Sequence, residues 1–294
     1  MNILLTGGGG QLGRSCTERL SRSHQVIACT SAELDITDPS RAQAVFAEHA
    51  PDVLVNCGAY TAVDRCEQEQ ERCWAVNSTG PAVLARQCAQ NGCRLIHIST
   101  DYVFDGNKKI PAPYAEDDPT CPLSVYGKSK LAGEQAIAEE LENHLIIRTA
   151  WLYGAGGPNF LKTMLRLAIN NPGQSMKVVS DQMGSLTWSN RLAEQIEQLL
   201  DTPLTGIVHA TAEGFSSWYE GALFFLKAMG VQADIIPCGT SEYPTPAHRP
   251  ANSILENRRL EEAGLNRMVP WQQDVKAFAL ENREALLNEA RAQS

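Results

Sequence analysis

Short apolar runs alternate along the first half of the chain with longer stretches in which apolar positions recur every three or four residues. The runs Asn2–Thr6, Gln25–Cys29, Asp52–Asn56, Arg94–Ser99 and His144–Arg148 read as strands. Between them the helical period predicts helices over 12–22, 39–49, 69–91 and 125–142. This alternation predicts a parallel sheet with helices on both faces. Beyond residue 150 the pattern loosens. Gly154-Ala155-Gly156-Gly157-Pro158 marks a loop, and helical stretches remain near 159–170, 189–201, 216–229 and 272–290. The prolines of Tyr243-Pro244-Thr245-Pro246 and Arg249-Pro250 mark extended segments. The expected division is residues 1–150 as one domain and 151–294 mainly as a smaller cap, with some cap elements returning to the sheet.

The length of 294 residues suits one large domain or two modest ones. With 43% hydrophobic and 20% charged residues the chain reads as globular. Its 25 basic and 34 acidic residues give a net charge of -9, which argues against a nucleic-acid partner. A small anionic ligand stays open, because local groups override net charge. No apolar run approaches the ~18–20 residues of a membrane span. The start, Met1 to Thr6, has neither the basic nor the apolar region of a signal peptide. A cytoplasmic location with no membrane partner is expected. Nine cysteines without a CxxC pair are then expected to be reduced.

The first candidate strand runs into Thr6-Gly7-Gly8-Gly9-Gly10-Gln11-Leu12-Gly13, which opens the first helix. Glycines at these spacings permit a tight turn and let backbone approach a pyrophosphate at a helix N-terminus. The strand–turn–helix context makes this a dinucleotide-binding signal. The predicted fold is therefore α/β, a Rossmann-like doubly wound parallel sheet with a smaller C-terminal substrate-binding region. The second strand ends Cys29-Thr30-Ser31, with no carboxylate in the usual ribose position. Ser31 and Arg14 could contact a 2′-phosphate, so NADPH is the expected cofactor, with NADH left open.

Tyr126 and Lys130 are spaced i and i+4, which places them on one helix face. An ammonium beside a phenol favours the phenolate and is expected to lower the tyrosine pKa. Such a tyrosine can transfer a proton. Ser99-Thr100-Asp101 stands upstream at the end of a predicted strand, where ligands bind in open α/β sheets. A hydroxyl there can hold the same substrate oxygen.

Glycine turn, strand-end hydroxyl and YxxxK in this order resemble the extended short-chain dehydrogenase/reductase superfamily. Further strings narrow the resemblance: Val55 to Asp64, Ala75-Val76-Asn77, Ile98 to Gly106, Arg148 to Gly154, Asn159-Phe160, Val179 to Ser185 and Pro244 to Pro250. Together they resemble the dTDP-4-dehydrorhamnose reductase family, over residues 1 to about 280. The resemblance implies NAD(P)H-dependent reduction of the C4 ketone of dTDP-4-dehydro-L-rhamnose, a nucleotide sugar, in dTDP-rhamnose biosynthesis. It implies Tyr126 as proton donor, Lys130 as its tuner and ribose contact, and Thr100 as the partner of the C4 oxygen. Cofactor contacts are implied for Gly7, Gly10, Gln11, Leu12, Asp35, Ile36, Cys57, Gly58, Ala59, Tyr60, Tyr126 and Lys130. Substrate contacts are implied for Thr100, Asp101, Tyr102, Trp151, Asn159, Gln182 and Arg249, with Trp151 offering a flat face to the sugar.

The chain departs from the family pattern at Gly58, where Ala is usual, at Leu186, where Pro is usual, and at His248, where Arg or Lys is usual. Some members are described as magnesium-dependent dimers. A homodimer stays open, but no carboxylate cluster reads as a metal site, so no metal is expected. The alternatives are a sugar-nucleotide dehydratase or epimerase of the same superfamily, or a non-catalytic NADP-binding regulatory subunit. Tyr102 stands where a dehydratase places its elimination acid, and the intact Thr100, Tyr126 and Lys130 speak against lost catalysis.

Overall fold

The structure is a computed structural model and describes residues 1–292. The first half runs β1 (Asn2–Thr6), α1 (Gln11–Leu20), β2 (Gln25–Cys29), α2 (Pro39–His49), β3 (Val53–Asn56), α3 (Val63–Cys66), α4 (Gln70–Trp74), α5 (Gly80–Asn91), β4 (Arg94–Thr100), α6 (Val125–Glu140) and β5 (His144–Thr149). The second half runs β6 (Leu152–Tyr153), α7 (Phe160–Asn170), β7 (Met176–Val179), β8 (Met183–Gly184), β9 (Thr187–Trp188), α8 (Ser189–Leu199), β10 (Gly206–His209), β11 (Ser216–Ser217), α9 (Trp218–Met229), β12 (Ile235–Cys238), β13 (Asn252–Ser253), α10 (Arg258–Glu262) and α11 (Trp271–Ala292).

The main sheet has six parallel strands in the order β10-β5-β4-β3-β1-β2. The chain goes one way from β1 to β2 and then returns to β3 on the other side. The winding reverses between β1 and β3, and a crevice opens at the carboxyl ends of those strands. This is the doubly wound sheet expected from the alternation. Its sixth strand, β10, was not foreseen as a strand: a four-residue Gly-Ile-Val-His run is too short to show a period.

Two apolar cores sandwich the sheet. One joins Ile3, Leu5, Val55, Ile96 and Ile147 to Leu12, Cys16 and Leu20 of α1 and to Leu192, Ile196 and Leu199 of α8. The other joins Leu4, Leu54, Leu95 and Ile146 to α2, α5 and Ile137 of α6. Each fully buried leucine or isoleucine contributes about 1.5–3 kcal/mol. Thus α8, from the second half, completes one face of the sheet. A third core belongs to the second half alone, with Leu161 and Leu165 of α7, Phe225 and Met229 of α9 and Val275 and Phe278 of α11.

The stretch 69–91, expected as one helix, is broken. Between α4 and α5 lies a π-helical turn, Ala75–Thr79. A π turn re-aims side chains within a helix and is common at functional sites. Here it turns Asn77 inward. Asn77 Oδ1 accepts from the Tyr60 N–H (2.8 Å), and its Nδ2 donates to the Tyr60 carbonyl (3.1 Å) and to Ser129 Oγ on α6 (3.1 Å). Among the described residues no helix is long and apolar enough to cross a membrane. All nine cysteines are free.

Candidate active site

The site lies at the carboxyl ends of β1, β3 and β4. After β1 the chain turns at Gly7, whose φ is +69°, a conformation that favours glycine. A side chain at Gly13 would stand 2.1 Å from the Gly7 carbonyl, so α1 packs on the turn only because residue 13 is glycine. The first turn of α1 holds no acidic residue, and no side chain caps its N–H groups. A Cβ at Gly9 would meet nothing closer than the Thr30 methyl at 3.6 Å. This open cradle with free N–H donors fits a pyrophosphate. Leu12 is buried in the core beneath it.

Gln11 faces the second half, where its Nε2 donates to the Leu152 carbonyl at 3.1 Å. The Gln11 Oε1 accepts from Asn159 Nδ2 at 2.9 Å. Asp35 spends one carboxylate oxygen on the N–H and hydroxyl of Thr37, and Ile36 packs in the core against Gly80. The loop carrying Cys57, Gly58, Ala59 and Tyr60 follows β3. It is held by Asn56 at Gly58 and by Asn77 at Tyr60, and Tyr60 Oη donates to Glu69.

At the end of β2 the structure adds a group not singled out from the sequence. The Glu33 carboxylate folds back onto Thr30, accepting from its N–H at 2.7 Å and its hydroxyl at 2.8 Å. An exposed carboxylate therefore does stand at this strand end, contrary to the reading of Cys29-Thr30-Ser31 alone. The tight turn at Thr30 brings residue 33 back onto the strand tip. Arg41 lies beside it, its Nε donating to the Glu33 carbonyl, and Arg14 donates to the Gly9 carbonyl.

Thr100, Tyr126 and Asp101 meet at the end of β4. The Thr100 hydroxyl lies beside the Tyr126 phenol and donates to Asp101 Oδ1 at 3.0 Å. Burial pushes the Asp101 carboxyl up to about 6, although hydroxyls of Ser253 and Thr100 donate to it. Tyr102 meets Tyr126 edge-on, with ring centroids 5.4 Å apart. Ser124 caps α6 at Gly127, and a Cβ at Gly127 would lie 2.2 Å from the Tyr102 carbonyl. Glycine there lets α6 bring Tyr126 against β4.

The expected tuning of Tyr126 is not what the structure shows. Burial raises its pKa well above the usual phenol value, and the Asp101 and Tyr102 charges add to the rise. Lys130 shares the helix face, but its Nζ points into the sheet. It lies 3.0 Å from His97 Nε2 and donates to the Ile98 carbonyl at 2.7 Å. Burial lowers the Lys130 pKa to about 8, against the pull of Glu134. Glu134 is held bidentately by Arg148 of β5, at 3.0 and 2.7 Å, and accepts from Ser99 of β4.

The outer candidates fall into two groups. Arg249 comes to the site: it donates to Tyr102 Oη at 3.2 Å and to Asp64 at 2.8 Å. Trp151 stacks on Trp218 at 3.6 Å, so one of its faces is covered by protein and not free for a sugar. Gln182 links Trp218 Nε1 to Thr240 Oγ1 and is buried. Asn159 caps α7 through the Lys162 N–H, and its Nδ2 goes to Gln11 and the Gly154 carbonyl. Leu186 lies in the core of the second half against Gly221.

The sequence reading also passed over Asn56 and His97, both fully buried. A polar residue in the middle of an apolar strand was the signal for His97. Among the described residues no group of three or more His, Cys, Asp or Glu side chains could hold a metal ion.

The family model described as the RmlD substrate binding domain matches residues 1–283. The dTDP-4-dehydrorhamnose reductase of Mycolicibacterium smegmatis is 40% identical over 278 residues, covering 93% of this chain and 84% of that protein. The spore coat polysaccharide biosynthesis protein SpsK of Bacillus subtilis is 40% identical over 284 residues, covering 96% and 98%. The crystal structure of the dTDP-4-dehydrorhamnose reductase of Bacillus anthracis, in complex with NADP, matches with a TM-score of 0.92 at 35% identity, covering 95% and 99%. With the doubly wound sheet and the Thr100–Tyr126–Lys130 cluster in place, these matches make the chain a member of the RmlD substrate binding domain family.

Proposed function

We propose that this protein is an NADPH-dependent dTDP-4-dehydrorhamnose reductase, which converts dTDP-4-dehydro-L-rhamnose to dTDP-L-rhamnose for polysaccharide biosynthesis. The observation that carries the reading is the placing of the buried Thr100 hydroxyl beside the Tyr126 phenol at the end of β4, with Lys130 one turn further along the same helix. When bound, the nicotinamide supplies a hydride to the C4 carbon of the ketone.

The chain's own residues supply the rest. The free N–H groups after Gly10 hold the pyrophosphate, and the loop from Cys57 to Tyr60 walls the crevice. Thr100 donates to the ketone oxygen and sets its distance from Tyr126. Tyr126 gives its proton to that oxygen as negative charge develops there. A reduction needs this tyrosine to start protonated, and its raised pKa keeps it so. Arg249, steered by Asp64 and Tyr102, is the cation at the pocket mouth for the substrate diphosphate. Residues 151–294 act mainly as the substrate cap. A dehydratase reading lacks its elimination acid, because Tyr102, and not a carboxylic acid, follows Thr100-Asp101.

The test is NADPH oxidation by the purified protein. Oxidation that requires dTDP-4-dehydro-L-rhamnose and yields dTDP-L-rhamnose is expected. No oxidation with that ketone, together with turnover of dTDP-glucose, would overturn the reading in favour of a dehydratase.

A further inference from the structure

A buried line of polar groups crosses the sheet behind the site. Thr6 Oγ1 on β1 donates to Asn56 Oδ1 on β3 at 2.6 Å, and the Gly58 N–H donates to the same oxygen at 3.0 Å. Asn56 Nδ2 lies 2.9 Å from His97 Nδ1 on β4, and His97 Nε2 lies 3.0 Å from Lys130 Nζ on α6. Thr6, Asn56, His97 and Lys130 are each at most 1% exposed. Every hydrogen in this line must therefore be assigned within the protein.

The assignment has one solution. A backbone N–H can only donate, so the Asn56 atom facing Gly58 is its oxygen. The Asn56 amide then turns its NH₂ towards His97, and Nδ1 must accept. A neutral imidazole that accepts at Nδ1 carries its proton on Nε2. That proton points at Lys130 Nζ. An ammonium has three donors and no acceptor, so it opposes this N–H, whereas a neutral amine receives it on its lone pair. One of the amine hydrogens goes to the Ile98 carbonyl at 2.7 Å.

We propose that His97, held by Asn56 as the Nε2–H tautomer, is a positioning residue that donates to Lys130 and favours its neutral amine form in the nucleotide-free protein. The proposal rests on the reductase reading for its purpose: a Lys130 that gives up its proton more readily draws Tyr126 less towards phenolate before the ketone arrives. The other titratable groups facing Lys130 are Glu134 on its own helix, Cys57 after β3 and Cys73 on α4. Glu134 favours the ammonium, but its oxygens are engaged by Arg148 and Ser99. Burial pushes both Lys130 and His97 towards their neutral forms, in the same direction as the hydrogen-bond count.

Two measurements on the full chain without nucleotide test this. The first is nitrogen NMR of protein labelled at histidine, with His97 assigned by its loss in His97→Gln. At pH 9, above the Lys130 midpoint, the Nε2–H tautomer is expected, and an Nδ1–H tautomer or an imidazolium overturns the proposal. The second follows the Cε resonances of labelled lysine, with Lys130 assigned by Lys130→Arg. A midpoint near 8 is expected, rising by roughly one pH unit, or tenfold in proton affinity, in His97→Gln, whose amide oxygen can turn to the ammonium. A wild-type midpoint at the ordinary lysine value, or no rise in the variant, overturns it. If His97→Gln fails to fold, the other five histidines assign the wild-type spectrum by elimination and the tautomer measurement stands. Both readouts are independent of turnover, so loss of the reductase reading would show separately, as absent NADPH oxidation.

Discussion

Arg249 Nη2 and Asp64 Oδ2 lie 2.8 Å apart, although 185 residues of chain separate them. Asp64 also accepts from the Ala247 N–H at 3.2 Å, so one carboxylate fixes both the backbone and the guanidinium of the Pro244–Pro250 segment. Both side chains are partly exposed, so the pair adds little to stability. Its effect is on placement. Asp64→Asn is expected to raise KM for the nucleotide sugar several-fold with kcat little changed and the melting temperature within about 2 °C. Steady-state kinetics and a thermal melt check this, and a fall in kcat with unchanged KM would count against Arg249 as a binding group.

Tyr126→Phe removes the proton donor and leaves the apolar ring against Tyr102. Turnover is expected to fall about 10²–10⁴-fold, the range for loss of a general acid. Nucleotide affinity, read by fluorescence titration, is expected to persist. Unchanged turnover would remove Tyr126 from the mechanism.

Glu33 bears on cofactor choice. Its ionised carboxylate occupies the N–H and hydroxyl of Thr30 at the end of β2, and these hydrogen bonds hold its pKa below the usual carboxylate range. A 2′-phosphate approaching this strand end meets a negative charge. Glu33→Gln is expected to raise the ratio of kcat/KM for NADPH over NADH several-fold, and Arg14→Ala to lower it. A ratio insensitive to both changes would place the discrimination elsewhere.

The Glu134–Arg148 pair, with both side chains 3% exposed, ties α6 to β5. Glu134→Gln leaves Arg148 charged and buried without its counter-ion. A loss of about 3–5 kcal/mol is expected in urea unfolding. A loss below about 1 kcal/mol would mean that the pair is not needed to dock the helix that carries Tyr126 and Lys130.

Asp101 makes stability depend on acidity in an uncommon direction. Its folded pKa, pushed up to about 6 by burial, exceeds the unfolded value, so the folded state binds the extra proton. Its contribution therefore grows as pH falls from about 6 towards 4 and is lost as pH rises through 6. Asp101→Asn removes this dependence. The stability of wild type minus that of Asp101→Asn is expected to increase between pH 7 and 5, by on the order of 1–2 kcal/mol. Paired melts at the two pH values read it, and a constant difference would refute it.

The sheet was legible because each strand of the first half is an apolar run bounded by turn residues and followed by a helical period. The glycine turn, Thr100, Tyr126 and Lys130 were legible because their chemistry depends on spacing along one strand or helix. The direction of the Lys130 side chain was not, since its partners, His97 and the Ile98 carbonyl, come from β4. Gln182 and Asn159 show the same limit: their partners Trp218, Thr240 and Gln11 are remote in sequence, and nothing local marks those amides as already engaged. Glu33 was missed for a different reason. The turn after β2 folds a carboxylate back over three residues, which a strand-end reading does not anticipate.

The return of α8 and β10 to the sheet also sets a schedule for synthesis. The chain leaves the ribosome from its N-terminus, and domains generally fold as they emerge. Here β5 remains an open edge until β10 pairs with it, and Leu12, Cys16 and Leu20 of α1 remain partly uncovered until α8 arrives. The nucleotide crevice, although its visible motifs end by residue 130, is not backed by a finished sheet until His209 has been made.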